Sequence, residues 1–219
     1  LLEKDIIHFS RTIRSAMHGF VTLEEAGFFG TVVDADESCS YMVKALIQSL
    51  RIKSGDGGGE VMEIMNNAVL EFECIGMDNG SKFPIEYTGR GQDISPEFVI
   101  KNLSPNAKTL AVTLEDLSHP IKDFTHWIIW NIPAADRIKG NIPAGRIVPA
   151  LGNACQGMGY GVHRYAGPKP PKGKKHTYRF TVYSLDCEMN ISADSMKGSF
   201  LKKAEKHIIQ KGSIVGNFE

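Results

Sequence analysis

The chain has 219 residues, enough for one medium domain or one domain with a small appendage. Hydrophobic residues make up 42% and charged residues 23%, an ordinary globular composition, and the formal net charge is zero. That balance removes any whole-chain attraction to nucleic acid or anionic membrane, and no apolar run approaches the roughly 20 residues a membrane helix needs.

The first fifty residues have helical periodicity. Leu2, Ile6, Phe9, Ile13, Met17 and Phe20 recur at spacings of three and four, which places them on one apolar stripe. Glycines at 27 and 30 interrupt the pattern. Asp34, with Glu37 three residues on, has the form of a capping box, and Tyr41, Met42, Ala45, Leu46 and Leu50 carry a second amphipathic helix. Two helices alone bury little, so their apolar faces need a partner, which could be a second copy of the chain. Leu1 to Asp5 has no basic stretch leading into an apolar one, so no signal peptide is expected.

Ser54-Gly55-Asp56-Gly57-Gly58-Gly59 reads as a flexible linker. The expected organisation is a helical appendage over 1–53, a linker over 54–68, and a second domain over 69–219, beginning near Met62 or Met65.

Beyond the linker the period changes to two. Leu70, Phe72 and Cys74 alternate with Glu71 and Glu73. Leu110, Val112 and Leu114 alternate with Ala111, Thr113 and Glu115. His176, Tyr178, Phe180 and Val182 alternate with Thr177, Arg179, Thr181 and Tyr183. These are expected to be half-buried strands. Helical spacing returns only in the tail, from Ser199 to Lys211.

His176 and Tyr178, two apart on a strand, put an imidazole and a phenol on one face about 7 Å apart. Before them lies the stiff loop Gly167-Pro168-Lys169-Pro170-Pro171, which has little entropy left to lose on binding. A second polar segment runs from Glu115 and Asp116 through His119 and Pro120 to His126 and Trp127. The four cysteines at 39, 74, 155 and 187 form no CxxC pair, and nothing in the histidine spacing demands a metal. No cofactor or metal is expected, and sparse cysteines suit a reducing cytoplasm. No G-x-S-x-G elbow, H-E-x-x-H or P-loop occurs. None of these signatures marks an obvious enzyme; a hydrolase would have to use Asp116 and a histidine as a dyad.

Four ordered motifs carry a resemblance. Gly91-Gln92-Asp93-Ile94-Ser95-Pro96 is similar to a G-x-x-x-S-P turn. Asp116-Leu117-Ser118-His119-Pro120 is similar to D-P-D-x-P. Thr125-His126-Trp127-Ile128-Ile129-Trp130-Asn131 resembles an H-W-x-V-x-N strand. Tyr165 to Gly173 with His176-Thr177-Tyr178-Arg179-Phe180 resembles Y-x-G-P-x-P-P-x-G…H-x-Y-x-F. Together they resemble the phosphatidylethanolamine-binding proteins, a family that includes Raf kinase inhibitor proteins and bacterial relatives. The resemblance implies a mainly β, β-sandwich-like fold with short peripheral helices, behind an N-terminal helical pair. It also implies a pocket for phosphate or a phosphorylated headgroup lined by Asp116, Pro120, His126, Gly167, Pro168, His176 and Tyr178, and possible modulation of a protein partner such as a kinase. Leu117 and Ser118 depart from the family's usual Pro and Asp.

Residues 15–24 (Ser-Ala-Met-His-Gly-Phe-Val-Thr-Leu-Glu) and 34–38 (Asp-Ala-Asp-Glu-Ser) resemble the end of a TetR-type regulator's effector domain. That resemblance implies a helical pair suited to dimerisation and no DNA-reading element in this stretch. The alternative reading of the whole is a ligand-sensing regulator fusion, with the β domain as sensor.

Overall fold

The computed structural model describes residues 69–122 and 124–219, together with 12, 15 and 16, which are helical. The chain divides into two units, Leu1–Asn66 and Asn67–Glu219. The expected N-terminal helical pair lies, apart from those three positions, outside the described residues.

The second unit is mainly β. Its strands are β1 (Phe72–Cys74), β2 (Phe98–Ile100), β3 (Thr109–Asp116), β4 (Phe124–Pro133), β5 (Arg137–Ile138), β6 (Ile147–Val148), β7 (Ala154–Gln156), β8 (His176–Leu185) and β9 (Ile208–Phe218). One α-helix, α1 (Lys197–Ala204), lies between β8 and β9. A small antiparallel sheet has the order β1-β2-β5, and a large one the order β6-β7-β4-β3-β8-β9.

The main core lies between the sheets. Phe98, Ile100 and Ile138 of the small sheet meet Leu110, Val112, Leu114, Trp127, Ile129, Phe180 and Val182 of the large one. Phe98 and Phe180 pack edge to face with ring centroids 5.2 Å apart, a preferred aromatic geometry. A second cluster covers the other face of the large sheet, where Phe200 and Ala204 of α1 pack with Ala111, Ile128, Trp130, Tyr183 and Leu185.

That second layer corrects the half-buried expectation for β3, all eight residues of which are buried. Ala111 and Thr113 look like a solvent face in sequence, but α1 and the loop before it cover them. The polar member of that face, Glu115, is 2% exposed and paired with Arg179 at 3.3 Å and with Lys197 of α1, as a buried carboxylate must be.

The tail differs from its expected helix. The helix stops at Ala204, and Ile208–Phe218 is a strand paired with β8 along its length. Ile208, Ile209, Ile214 and Val215 are β-branched, which suits a strand, and the backbone hydrogen bonds offered by β8 override the local three-four spacing.

The outer edge of β9 is capped by the segment ahead of β2. Leu70 N–H donates to Lys211 O, Gly80 N–H to Val215 O and Phe83 N–H to Asn217 O. The approach is close enough that a Cβ at Gly212 would lie 1.9 Å from the Leu70 carbonyl oxygen. Gly212→Ala should therefore cost about 1–3 kcal/mol, the usual range for overpacking. Urea unfolding of the two proteins measures this, and an unchanged midpoint would mean the strap is not seated as described.

Candidate functional site

Asp116 ends β3, His126 is near the start of β4, and His176 and Tyr178 open β8. These three strands are neighbours in the large sheet, so one end of it collects all four side chains. Asp116 pairs directly with Tyr178 across β3 and β8. In β8 the face carrying Tyr178, Phe180 and Val182 is the main-core face, and His176 extends it outward.

His126 reaches the same face through a bulge. Thr125 pairs with Glu115 and Trp127 with Leu114, so His126 is an extra residue on β4. Without the slip, strict alternation would turn either His126 or Trp127 to the opposite face. With it, Phe124 and His126 line the site while Trp127 and Ile129 remain in the core.

The Asp116 carboxylate is the hub. Its side chain is 4% exposed. Oδ1 accepts from the Ser118 N–H at 2.9 Å, and Oδ2 accepts from His176 Nδ1 at 2.7 Å. Tyr178 stands opposite Asp116 in the β3–β8 ladder, and its ring meets the His126 ring edge to face at 5.3 Å. Burial first, and then the Asp116 charge, push the Tyr178 pKa well above the ordinary phenol value. The hydroxyl of Ser118 accepts from the Thr177 N–H at 2.9 Å, tying the turn after β3 to β8.

His126 is held from the other side. Its Nδ1 lies 3.0 Å from the Ala166 carbonyl oxygen, which can only accept, so Nδ1 carries the hydrogen. Nε2 then faces Asp116 Oδ2 at 4.0 Å. Burial lowers the His126 pKa, outweighing the Ala166 carbonyl and Asp116 carboxylate, which raise it. At neutral pH the ring is therefore uncharged and Nε2 offers a lone pair.

The rim is built on the 91–96 turn. Asp93, with φ of 56°, accepts from the Gly167 N–H at 2.6 Å and from Arg164 at 2.6 Å. Gly89 N–H donates to Pro168 O, and Arg90 donates to Pro170 O at 2.7 Å. A Cβ at Gly167 would sit 2.1 Å from the Tyr87 carbonyl oxygen, so the loop can lie this close only as glycine.

Of the seven expected pocket residues, Asp116, His126, His176 and Tyr178 come together, with buried Gly167 and Pro168 in the adjoining loop. Pro120 is exposed in the β3–β4 loop. Two aromatic neighbours, Tyr160 and Phe124, escaped the sequence reading. Tyr160, 54% exposed, faces His126 with centroids 4.9 Å apart. Phe124 meets the edges of Tyr160 and His126, and His119 stacks on Phe124 at 3.9 Å. The period-two relation of Phe124 to His126 was a usable signal. Tyr160 sits in a Gly-Tyr-Gly turn, brought beside β4 by its own N–H on Thr125 O and by the Gly157 N–H on Ile128 O.

His163 lies away from the His119–His126 pair, with Nδ1 against Gln156 O at 2.9 Å and Nε2 near Asp194. Among the described residues no helix is long and apolar enough to cross a membrane.

The architecture is a two-sheet antiparallel β domain with a polar cluster at the end of three adjacent strands. The sequence profile of the family described as Phosphatidylethanolamine-binding protein matches residues 75–219, and the chain belongs to that family. It is 37% identical over 165 residues to a UPF0098 protein of Pyrococcus abyssi, covering 74% of this chain and 88% of that one. A UPF0098 protein of Pyrococcus horikoshii is 36% identical over 165 residues, covering 74% and 80%. A Chlamydia trachomatis structure described as a phosphatidylethanolamine-binding protein homologue superposes with a TM-score of 0.61 at 25% identity, covering 69% of this chain and 98% of that one. E. coli YbcL shares the fold, with a TM-score of 0.60 at 23% identity, covering 69% and 99%. A second profile, described as Tetracyclin repressor-like, C-terminal domain, matches residues 1–46.

Proposed function

We propose that the chain is a small-anion-binding protein that takes phosphate or a phosphorylated headgroup among Asp116, His126, His176 and Tyr178, and that it takes the anion together with a proton. The observation that carries this is the hydrogen-bond inventory of the two histidines. The His176 Nδ1–H is committed to Asp116 and the His126 Nδ1–H to Ala166. The buried, uncharged His126 ring turns its Nε2 lone pair to the site, which repels a bare oxyanion. A proton on either ring, or on a ligand oxygen, turns that repulsion into a charge-assisted or ordinary hydrogen bond. Tyr160 and His119 stand at the outer edge, and Lys169 adds positive charge at the rim.

The family name supports a phosphorylated headgroup as one natural ligand. The exposed apolar residues Leu117 and Ile121, 43% and 63% exposed beside the site, suit a protein partner such as a kinase that would sense occupancy. The segment matching the repressor-like profile would add a dimerising helical pair. Comparing the full chain with a form lacking residues 1–60 by size exclusion tests that addition.

The binding claim is tested by titrating inorganic phosphate into the protein from pH 8 to pH 6 with NMR detection. Affinity should rise as pH falls, by up to about tenfold per pH unit, the limit for one proton taken up per ligand. His176→Ala should weaken binding by roughly tenfold or more, since a charge-assisted bond is worth about 1.5–3 kcal/mol. Shifts centred away from these residues, or an affinity indifferent to pH, would sink the proposal.

A further inference from the structure

We propose that Asp186, Cys187 and His207 form a binding site for a divalent transition metal, with zinc as the best match. One ligand atom from each lies within 4.8 Å of those of the other two. His207 Nδ1 and Asp186 Oδ1 are 2.9 Å apart. The site is at the far end of β8 from the anion pocket. Ten residues of strand separate the two ends, roughly 30 Å at about 3.3 Å per residue.

The geometry is fixed by the backbone around it. Asp186 N–H donates to His207 O at 3.1 Å, so the chain leaving β8 and the chain entering β9 are clamped at the ligands themselves. His207 N–H donates to Ala204 O at 2.7 Å, which seats it on the end of α1. The Thr109 hydroxyl donates to Cys187 O at 2.7 Å, anchoring the third ligand to β3. Ligands held this way lose little freedom when a metal arrives.

The donor set then selects the ion. Imidazole nitrogen, cysteine sulfur and one carboxylate oxygen suit zinc, which takes three protein ligands and leaves a fourth position for water. Calcium and magnesium require oxygen shells and are disfavoured by sulfur and nitrogen. Lys108 and Lys203 stand near the site and temper its affinity without occupying it. In sequence the cluster is nearly invisible, since two ligands are adjacent and the third follows twenty residues later, with no C-x-x-C or H-x-x-H signature.

The test is a cobalt titration of the full chain after chelator treatment. Cobalt should bind at one equivalent, with the visible bands of a tetrahedral ion and a near-ultraviolet thiolate charge-transfer band, and zinc should displace it. Cys187→Ser should lose the charge-transfer band, and His207→Ala should weaken binding at least tenfold. Cys155→Ser, a change outside the cluster, should leave the spectrum intact. Circular dichroism confirms that each variant is folded. A featureless titration, or a thiolate band that survives Cys187→Ser, would overturn the assignment. None of these readouts depends on whether the Asp116 pocket binds phosphate.

Discussion

Replacing Asp116 with alanine should destabilise the β domain by about 2–4 kcal/mol. The carboxylate accepts from the Ser118 N–H and the His176 ring at once. The Ser118 N–H can turn to water, but the half-buried imidazole loses a charge-assisted bond worth about 1.5–3 kcal/mol, and the turn after β3 loses its anchor. Asp116→Asn keeps one carbonyl oxygen and should cost about half as much. Urea unfolding monitored by tryptophan fluorescence measures both. If alanine is as stable as the parent, the carboxylate is not the hub described, and the pocket argument fails with it.

The larger effect comes from alkali. Cys74 is buried in the main core, and burial pushes its thiol pKa up to about 12. Tyr165 is buried with its hydroxyl on the Tyr87 carbonyl, and Tyr178 is buried on Asp116; burial raises both phenols above their ordinary range. In the unfolded chain these groups ionise near 9 and 10. Above those values the folded state holds more protons than the unfolded one, so stability must fall as pH rises. Each group contributes about 1.4 kcal/mol per pH unit once its unfolded form is ionised. The decline should begin near pH 9 with Cys74 and steepen above about pH 10 toward roughly 4 kcal/mol per pH unit. Unfolding midpoints in urea from pH 8 to pH 11.5 trace the curve, and Cys74→Ala should remove its first part. A flat midpoint through pH 11 would contradict the burial of all three. On the acid side the lowered His126 pKa works in the opposite sense. Its unfolded form takes up a proton first, so its contribution is present above about 6.5 and declines as pH falls below that value.

The sequence showed the strand faces but not what covers them. The period of two in 110–115 and 176–183 identified β3 and β8 and put His176 and Tyr178 on one face, because alternation is a local rule; that Asp116 joins them was implied only by the family resemblance, since β3 and β8 pair across some sixty residues. Burial of the second face of β3 depends on α1, which lies some eighty residues later, and no window of sequence contains both. The ordered motifs marked His126, yet its orientation rests on a slip of register that its own residues do not announce. The stretch Ser199–Lys211 misled for the opposite reason, since its helical spacing continues past Ala204, where the helix ends, and only the open edge of β8 makes a strand of Ile208 onward.

The strap across β9 has a consequence for synthesis on the ribosome. Leu70, Gly80 and Phe83 are among the first residues of the β domain to emerge, and their partners Lys211, Val215 and Asn217 are among the last. Until the final strand is released, the long edge of β8 stands open and the strap has nothing to close on. The nascent domain therefore spends nearly its whole translation time as an unfinished sheet, the kind of species that pairs with a neighbouring chain or engages a chaperone. Its last contacts also join residues about 140 apart, which slows closure even after release. A stall or truncation within the codons for Ile208–Phe218 would leave a product whose earlier-made strap advertises the missing strand.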